Sequence, residues 1–257
     1  MKIILAPAKR QLTAEKFAAI REQYGLQLPE QTEPLLKKKT QILIDMLSAM
    51  QPPDLAAAMR IKDELAMQTY IQYQEMRKGK AVGTPALWSY IGLAYRYLQA
   101  ETLTETAIRF ACEHLRIPDA LYGLLRPTDR ILPYRLDMLA AVKPEGKNIY
   151  RFWGSDWADH LMEGETELVN LASTEFSKAV LPYLPPKIRV IQVDFKTMKN
   201  GKWIIPTTLA KMARGAMARY ICLQQLQTVH ELTGFQEFGF AYRKDLSTTD
   251  HLVYVQN

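Results

Sequence analysis

The residues with the most chemistry in their types and spacing are cations. Between Thr207 and Cys222, Leu209, Met212, Ala213, Ala216, Met217, Tyr220 and Ile221 recur at i, i+3, i+4 and i+7, so one helical stripe must be buried. At about 100° per residue, Lys211, Arg214 and Arg219 fan out around the opposite side. The line between them, Gly215, Ala218 and Cys222, carries only small side chains. Two readings fit: a groove flanked by cations that receives an anion, or a line of small residues packed against another element with the charges solvated. Glycine inside a helix costs about 1 kcal/mol relative to alanine, so Gly215 signals close approach by a backbone or a ligand.

Other cations stand where an α/β protein usually meets ligands. Residues 2 to 6 read as a short buried strand that Pro7 stops, so Lys9 and Arg10 emerge in the loop beyond it. A second basic segment runs from Leu121 to Asp129 and on to Met138, with Arg126, Arg130 and Arg135 among prolines, tyrosines and two aspartates.

Several common chemistries lack their spacing. There is no Gly-x-Gly, and no Gly-Lys pair is followed by Ser or Thr, which excludes the dinucleotide fingerprint and the phosphate-binding P-loop. None of His114, His160, His230 and His251 has a glutamate three residues before it, and Cys-x-x-Cys is absent, so neither a cofactor nor a metal site is expected. Cys112 and Cys222 read as small buried hydrophobes rather than reactive thiols.

The elements that must hold these cations follow from periodicity and breakers. Helices are predicted at about 13 to 24, 34 to 50 and 54 to 77, then 103 to 115 behind a Thr102–Glu105 capping box. A helix at about 147 to 162 stacks Tyr150, Trp153, Trp157 and Leu161 as core. A strand at 167 to 171 leads to Ser173, which can cap a short helix. Strands near 188 to 195 and 202 to 206, joined by the Lys199-Asn200-Gly201 turn, precede a helix at about 208 to 226. A last strand pair is expected at 238 to 242 and 251 to 255. The order implies a mixed α/β, α+β-class single domain over residues 1 to 257, a mixed sheet covered by helices. The Lys37-Lys38-Lys39 run and the Arg77-Lys78-Gly79-Lys80 cluster read as solvated faces.

Composition agrees with a core of this size: 48% of residues are hydrophobic. A formal charge of +6 favours a polyanion or a phosphate-bearing ligand as partner. With two cysteines, nothing at the start that resembles a secretory signal and no apolar run near 18 residues, the expected compartment is the reducing cytoplasm, and no membrane partner is expected.

The second basic segment also resembles a family signature. Leu121-Tyr-Gly-Leu-Leu-Arg-Pro-Thr-Asp129 with Ile131-Leu-Pro-Tyr-Arg-Leu-Asp-Met138 is similar to the pattern of the YaaA peroxide-stress family, with Asp137 where that family usually has Glu. Further blocks fall in order: Pro7-Ala8-Lys9, Tyr150-Arg-Phe-Trp-Gly154, Asn170-Leu-Ala-Ser173 with Glu175 and Lys178, the Lys211 to Arg219 segment, and Leu232-Thr-Gly-Phe235. Ala6, Asp119-Ala120 and Leu93 depart from it, standing where a serine, a small Ser-Gly pair and an aspartate are usual. The resemblance implies survival of peroxide stress, an indirect lowering of free intracellular iron, and DNA binding through a basic cleft with a helix-hairpin-helix-like element. A hairpin at Ile117 to Arg126 would offer the Tyr122 and Gly123 amides to a phosphate, a contact that Asp119 would weaken.

Two uses of one cleft follow. In the first, Lys9, Arg126, Arg135, Lys178, Lys211 and Arg214 contact the phosphates of double-stranded DNA or another polyanion. In the second, the same cations hold a small phosphate- or nucleotide-bearing substrate, with Asp129, Tyr134, Asn170, Ser173 and Glu175 as polar partners. An Arg126–Asp129 pair that merely braces a turn is a third reading of that motif.

Overall fold

The computed structural model describes residues 1–79 and 81–256; Lys80, the end of the Arg77 to Lys80 cluster, lies outside the described residues. Nine strands form the main sheet: β1 (Lys2–Leu5), β2 (Leu115–Asp119), β3 (Gly123–Leu125), β4 (Glu167–Leu171), β5 (Arg189–Lys199), β6 (Lys202–Ile204), β7 (Gln236–Glu237), β8 (Phe240–Tyr242) and β9 (His251–Gln256). Their order is β7-β8-β9-β5-β4-β1-β2-β3, with β6 paired to β5. The centre, β9-β5-β4-β1-β2, is parallel, and antiparallel hairpins close both sides. Parallel strands are covered on both faces, which is why Ile3, Ile4 and Leu5 are all buried and read as an unbroken apolar run.

Among the described residues, the α-helices of five residues or more, with one single turn at the site, pack around this sheet: α1 (Ala14–Tyr24), α2 (Lys37–Ala49), α3 (Pro52–Met59), α4 (Asp63–Lys78), α5 (Leu93–Leu98), α6 (Glu105–His114), α7 (Ile149–Trp153), α8 (Asp156–Leu161), α9 (Thr174–Ser177) and α10 (Thr207–Gln224). The predicted helix at 54 to 77 is split, because Arg60 takes a left-handed φ of 52° and the Ala58 carbonyl accepts from the Ala141 N–H. The one at 147 to 162 breaks at Gly154, and Trp153, Trp157 and Leu161 are fully buried, as a core stripe requires. Thr104, not Thr102, caps α6 by accepting from the Ala107 N–H. Lys37 and Lys38 are exposed, whereas Lys39 is held by Asp156 and the Phe152 carbonyl.

Candidate anion-binding cavity

The parallel strands point their carboxyl ends at one cavity of about 320 Å³. Its floor and one wall come from Leu5 at the end of β1, the loop from Ala6 to Gln11, and Leu171, Ser173, Glu175 and Phe176 after β4. The opposite wall is Ile91 to Tyr95 at the start of α5, with Tyr134 to Asp137 and, from α10, Lys211 and Arg214 completing it. Open α/β sheets take their ligands beyond the carboxyl ends of the strands, and this cavity occupies that place.

Its charged lining is five cations, Lys9, Arg10, Arg135, Lys211 and Arg214, against two carboxylates, Asp137 and Glu175. Asp137 is engaged by Lys9 at 3.0 Å and by Arg135 at 3.6 Å. Arg214 differs from the rest. Among the described residues it has no ion pair, its Nε is buried without a hydrogen-bond partner, and burial pulls its guanidinium below the ordinary value while the charge of Asp194 pulls it back. Arginine still stays charged. Arg135 Nε and the Tyr95 hydroxyl are also buried and unpartnered, and both residues line the same cavity. Buried polar groups without partners are rare in folded proteins; among the described residues eight such atoms occur, and three of them surround this one space, which makes it the candidate site.

Glu175 is half-buried and accepts from the Met138 N–H at 3.1 Å. Burial and the nearby charge of Asp137 push its carboxyl above the ordinary value, against the pull of that N–H, Lys9 and Lys211. Tyr134 is fixed from beneath by Asp119, which is wholly buried and accepts from the hydroxyls of Tyr134 and Tyr90 and from the amides of Leu121 and Tyr122. Burial raises the Asp119 carboxyl, and these four donors pull it down.

Of the eleven expected site residues, folding therefore gathers Lys9, Arg135, Lys211, Arg214, Tyr134, Ser173 and Glu175. Arg126 and Asp129 do not reach the cavity: Asp129 is buried and bonds the Arg126 side chain and amide, as in the brace reading. Lys178 is exposed beyond α9, and Asn170 is tied to Gln192 and the Ala172 amide. The Tyr122 amide is spent on Asp119 and Gly123 lies within the β2–β3 hairpin, so that turn, preceded by α6, offers neither to a phosphate. Arg219 donates to the Leu98 and Gln99 carbonyls at the end of α5. The line of Gly215, Ala218 and Cys222 is buried, and at Gly215 it is α5, through Ala94, that approaches rather than a ligand.

Sequence reasoning missed Tyr95, Asp137 and the supporting role of Asp119. Asp137 stood inside the quoted signature, whereas nothing local marks Tyr95. Two departures from that signature, Ala6 and Leu93, line the cavity and leave it one hydroxyl and one carboxylate poorer than the pattern suggests. Burial pushes the thiols up, Cys112 to about 11 and Cys222 to about 12, which suits packing rather than reactivity. Among the described residues, no helix is long and apolar enough to cross a membrane, and no group of three or more His, Cys, Asp or Glu side chains could hold a metal ion.

Comparison with known proteins agrees along the whole length. A UPF0246 protein of Pediococcus pentosaceus is 36% identical over 100% of this chain and 98% of its own. That of Limosilactobacillus fermentum is 37% identical over all of both chains, and that of Lactiplantibacillus plantarum 34% over 99% of each. The family profile described as "Peroxide stress protein YaaA" matches residues 1–246. The chain belongs to the YaaA family of peroxide stress proteins.

Proposed function

We propose that this family member acts by binding a phosphate-bearing ligand of nucleotide size in the cavity beyond β1 and β4. The observation that carries this reading is Arg214, a half-buried guanidinium that lines the cavity and, among the described residues, has no ion pair and a buried Nε without a hydrogen-bond partner. An uncompensated buried charge is costly, and a bound anion removes the cost. Arg135 and Lys211 add charge on the same wall, while Lys9 and Arg10 stand exposed at the mouth, where they draw an anion in. The ligand has an apolar part as well. Ala6, Ile91, Leu93, Leu136 and Phe176 line the same space, and an inorganic ion would leave them uncovered.

Double-stranded DNA does not fit inside about 320 Å³, so a polymer reaches this cavity with a single unit only. The shared chemistry is one phosphate on a compact body, free or at the end of a chain. Thermal shift separates the sources. Inorganic phosphate, a nucleoside monophosphate and a short duplex are each titrated into the parent protein and into Arg214→Met. The monophosphate should raise the parent Tm most and leave the Tm of the variant unmoved. Equal shifts in both proteins, or no shift with any of the three, refute the reading.

A further inference from the structure

The cavity holds two carboxyls that a phosphate does not need. Asp137 and Glu175 come from separate segments and are tied together, because the Met138 N–H, next in the chain to Asp137, donates to Glu175 Oε1 at 3.1 Å. One oxygen of each is spent within the protein. Asp137 Oδ2 accepts from Lys9 at 3.0 Å and lies 3.6 Å from Arg135, and Glu175 Oε1 takes the Met138 amide. Among the described residues, no donor reaches the other oxygens, Asp137 Oδ1 and Glu175 Oε2, and neither is a buried unpartnered atom, so each keeps an open face.

Carboxyl oxygens repel a phosphate, so this pair faces the uncharged part of the ligand and asks it for two hydrogen-bond donors. Three kinds of donor can be weighed. A cationic group is repelled by Lys9, Arg10, Arg135, Lys211 and Arg214 around the same space. The flat edge of a base is better covered by the apolar wall of Ile91, Leu93 and Phe176. Neighbouring hydroxyls on a sugar ring remain, and acidic side chains on ribose hydroxyls are a recurrent pairing in nucleotide sites. Tyr95, only 6% exposed with its hydroxyl unpartnered, and Ser173 line the same cavity and add polar groups for an oxygen-rich ring.

We infer that the ligand of the cavity is a ribosyl phosphate, and that Asp137 and Glu175 select it by accepting hydrogen bonds from its two neighbouring ring hydroxyls through Asp137 Oδ1 and Glu175 Oε2. The inference rests on the phosphate reading of the cavity and adds what chooses among phosphates. Arg214, Arg135 and Lys211 hold the charge that every such ligand carries, whereas the carboxyl pair reads a feature that deoxy sugars lack. A ligand with one of the two hydroxyls missing leaves one carboxyl oxygen without its donor, and a site built to bond a hydroxyl rejects the analogue that lacks it. A deoxyribose unit is therefore the wrong occupant, and a ribonucleotide the right one.

The test titrates adenosine 5′-monophosphate and its 2′-deoxy and 3′-deoxy counterparts calorimetrically into the parent, Asp137→Ala and Glu175→Ala. The parent should bind the ribo form at least about tenfold more tightly than either deoxy form, the loss of one hydrogen bond to a carboxyl group. Each variant should lose that preference against one deoxy form and keep it against the other. A merely structural role for either carboxyl would weaken all three ligands alike and leave the ratios unchanged, which overturns the inference. The parent comparison needs no variant to fold. Parent affinities within about threefold of one another, or tighter binding of a deoxy form, sink the inference and leave the phosphate reading standing, whereas binding of none of the three sinks both.

Discussion

Glu175 is the residue whose protonation the cavity controls most directly. Its raised pKa means that the native state holds the proton more tightly than the unfolded chain does. Its contribution to stability is therefore full below the ordinary carboxylate range and is lost as pH rises through the raised folded value. Glu175→Gln keeps an acceptor for the Met138 N–H and cannot ionise. It should match the parent Tm near pH ~4 and exceed it near pH ~7.5, and a gap that is absent or reversed would contradict this assignment. Asp119 shows how far a single residue can mislead when read locally. Beside a hairpin turn it looked like a charge that would repel a phosphate, but folding turns it inward, where four donors occupy it and Tyr134 is held at the cavity wall. Its partners Tyr90 and Tyr134 come from separate segments, and no spacing in the sequence announces them.

At the scale of elements, α10 was legible because its apolar repeat, its small-residue line and its cations all obey one helical period. What lies in that line was not, because both readings need small side chains. A Cβ on Gly215 would stand 1.9 Å from the Ala94 carbonyl oxygen, so α5 approaches α10 at a distance that only glycine allows. Gly215→Ala is expected to destabilise by about 1–3 kcal/mol in urea unfolding with an unchanged m value, and to weaken ligand binding by moving Leu93 and Tyr95. Stability within about 0.5 kcal/mol of the parent would show that the helices part freely there. The breaks at Arg60 and Gly154 escaped the periodic reading for a related reason. Both residues take positive φ within stretches whose hydrophobic spacing continues unbroken, and for Arg60 the surrounding fold sets the break, through the bond from Ala141 to Ala58.

Across the whole molecule, the sheet is the device that turns distant cations into one site. Lys9, Arg135 and Arg214 are separated by more than a hundred residues from first to second and by nearly eighty from second to third, and they meet where the loop after β1, the Tyr134 to Asp137 segment and α10 converge on one cavity. The strand pattern and the charge made a shared cavity foreseeable. Which cations would enter it depended on pairings such as Arg126 with Asp129, fixed only in the folded chain. Whether Arg214 is the partner of a bound anion is decided by calorimetric titration of a nucleoside monophosphate into the parent and into Arg214→Met. One saturable site is expected in the parent and an affinity at least about tenfold lower in the variant, the loss of a charge-assisted hydrogen bond, with no fall in the Tm of the unliganded protein. Equal affinities in the two proteins would contradict it.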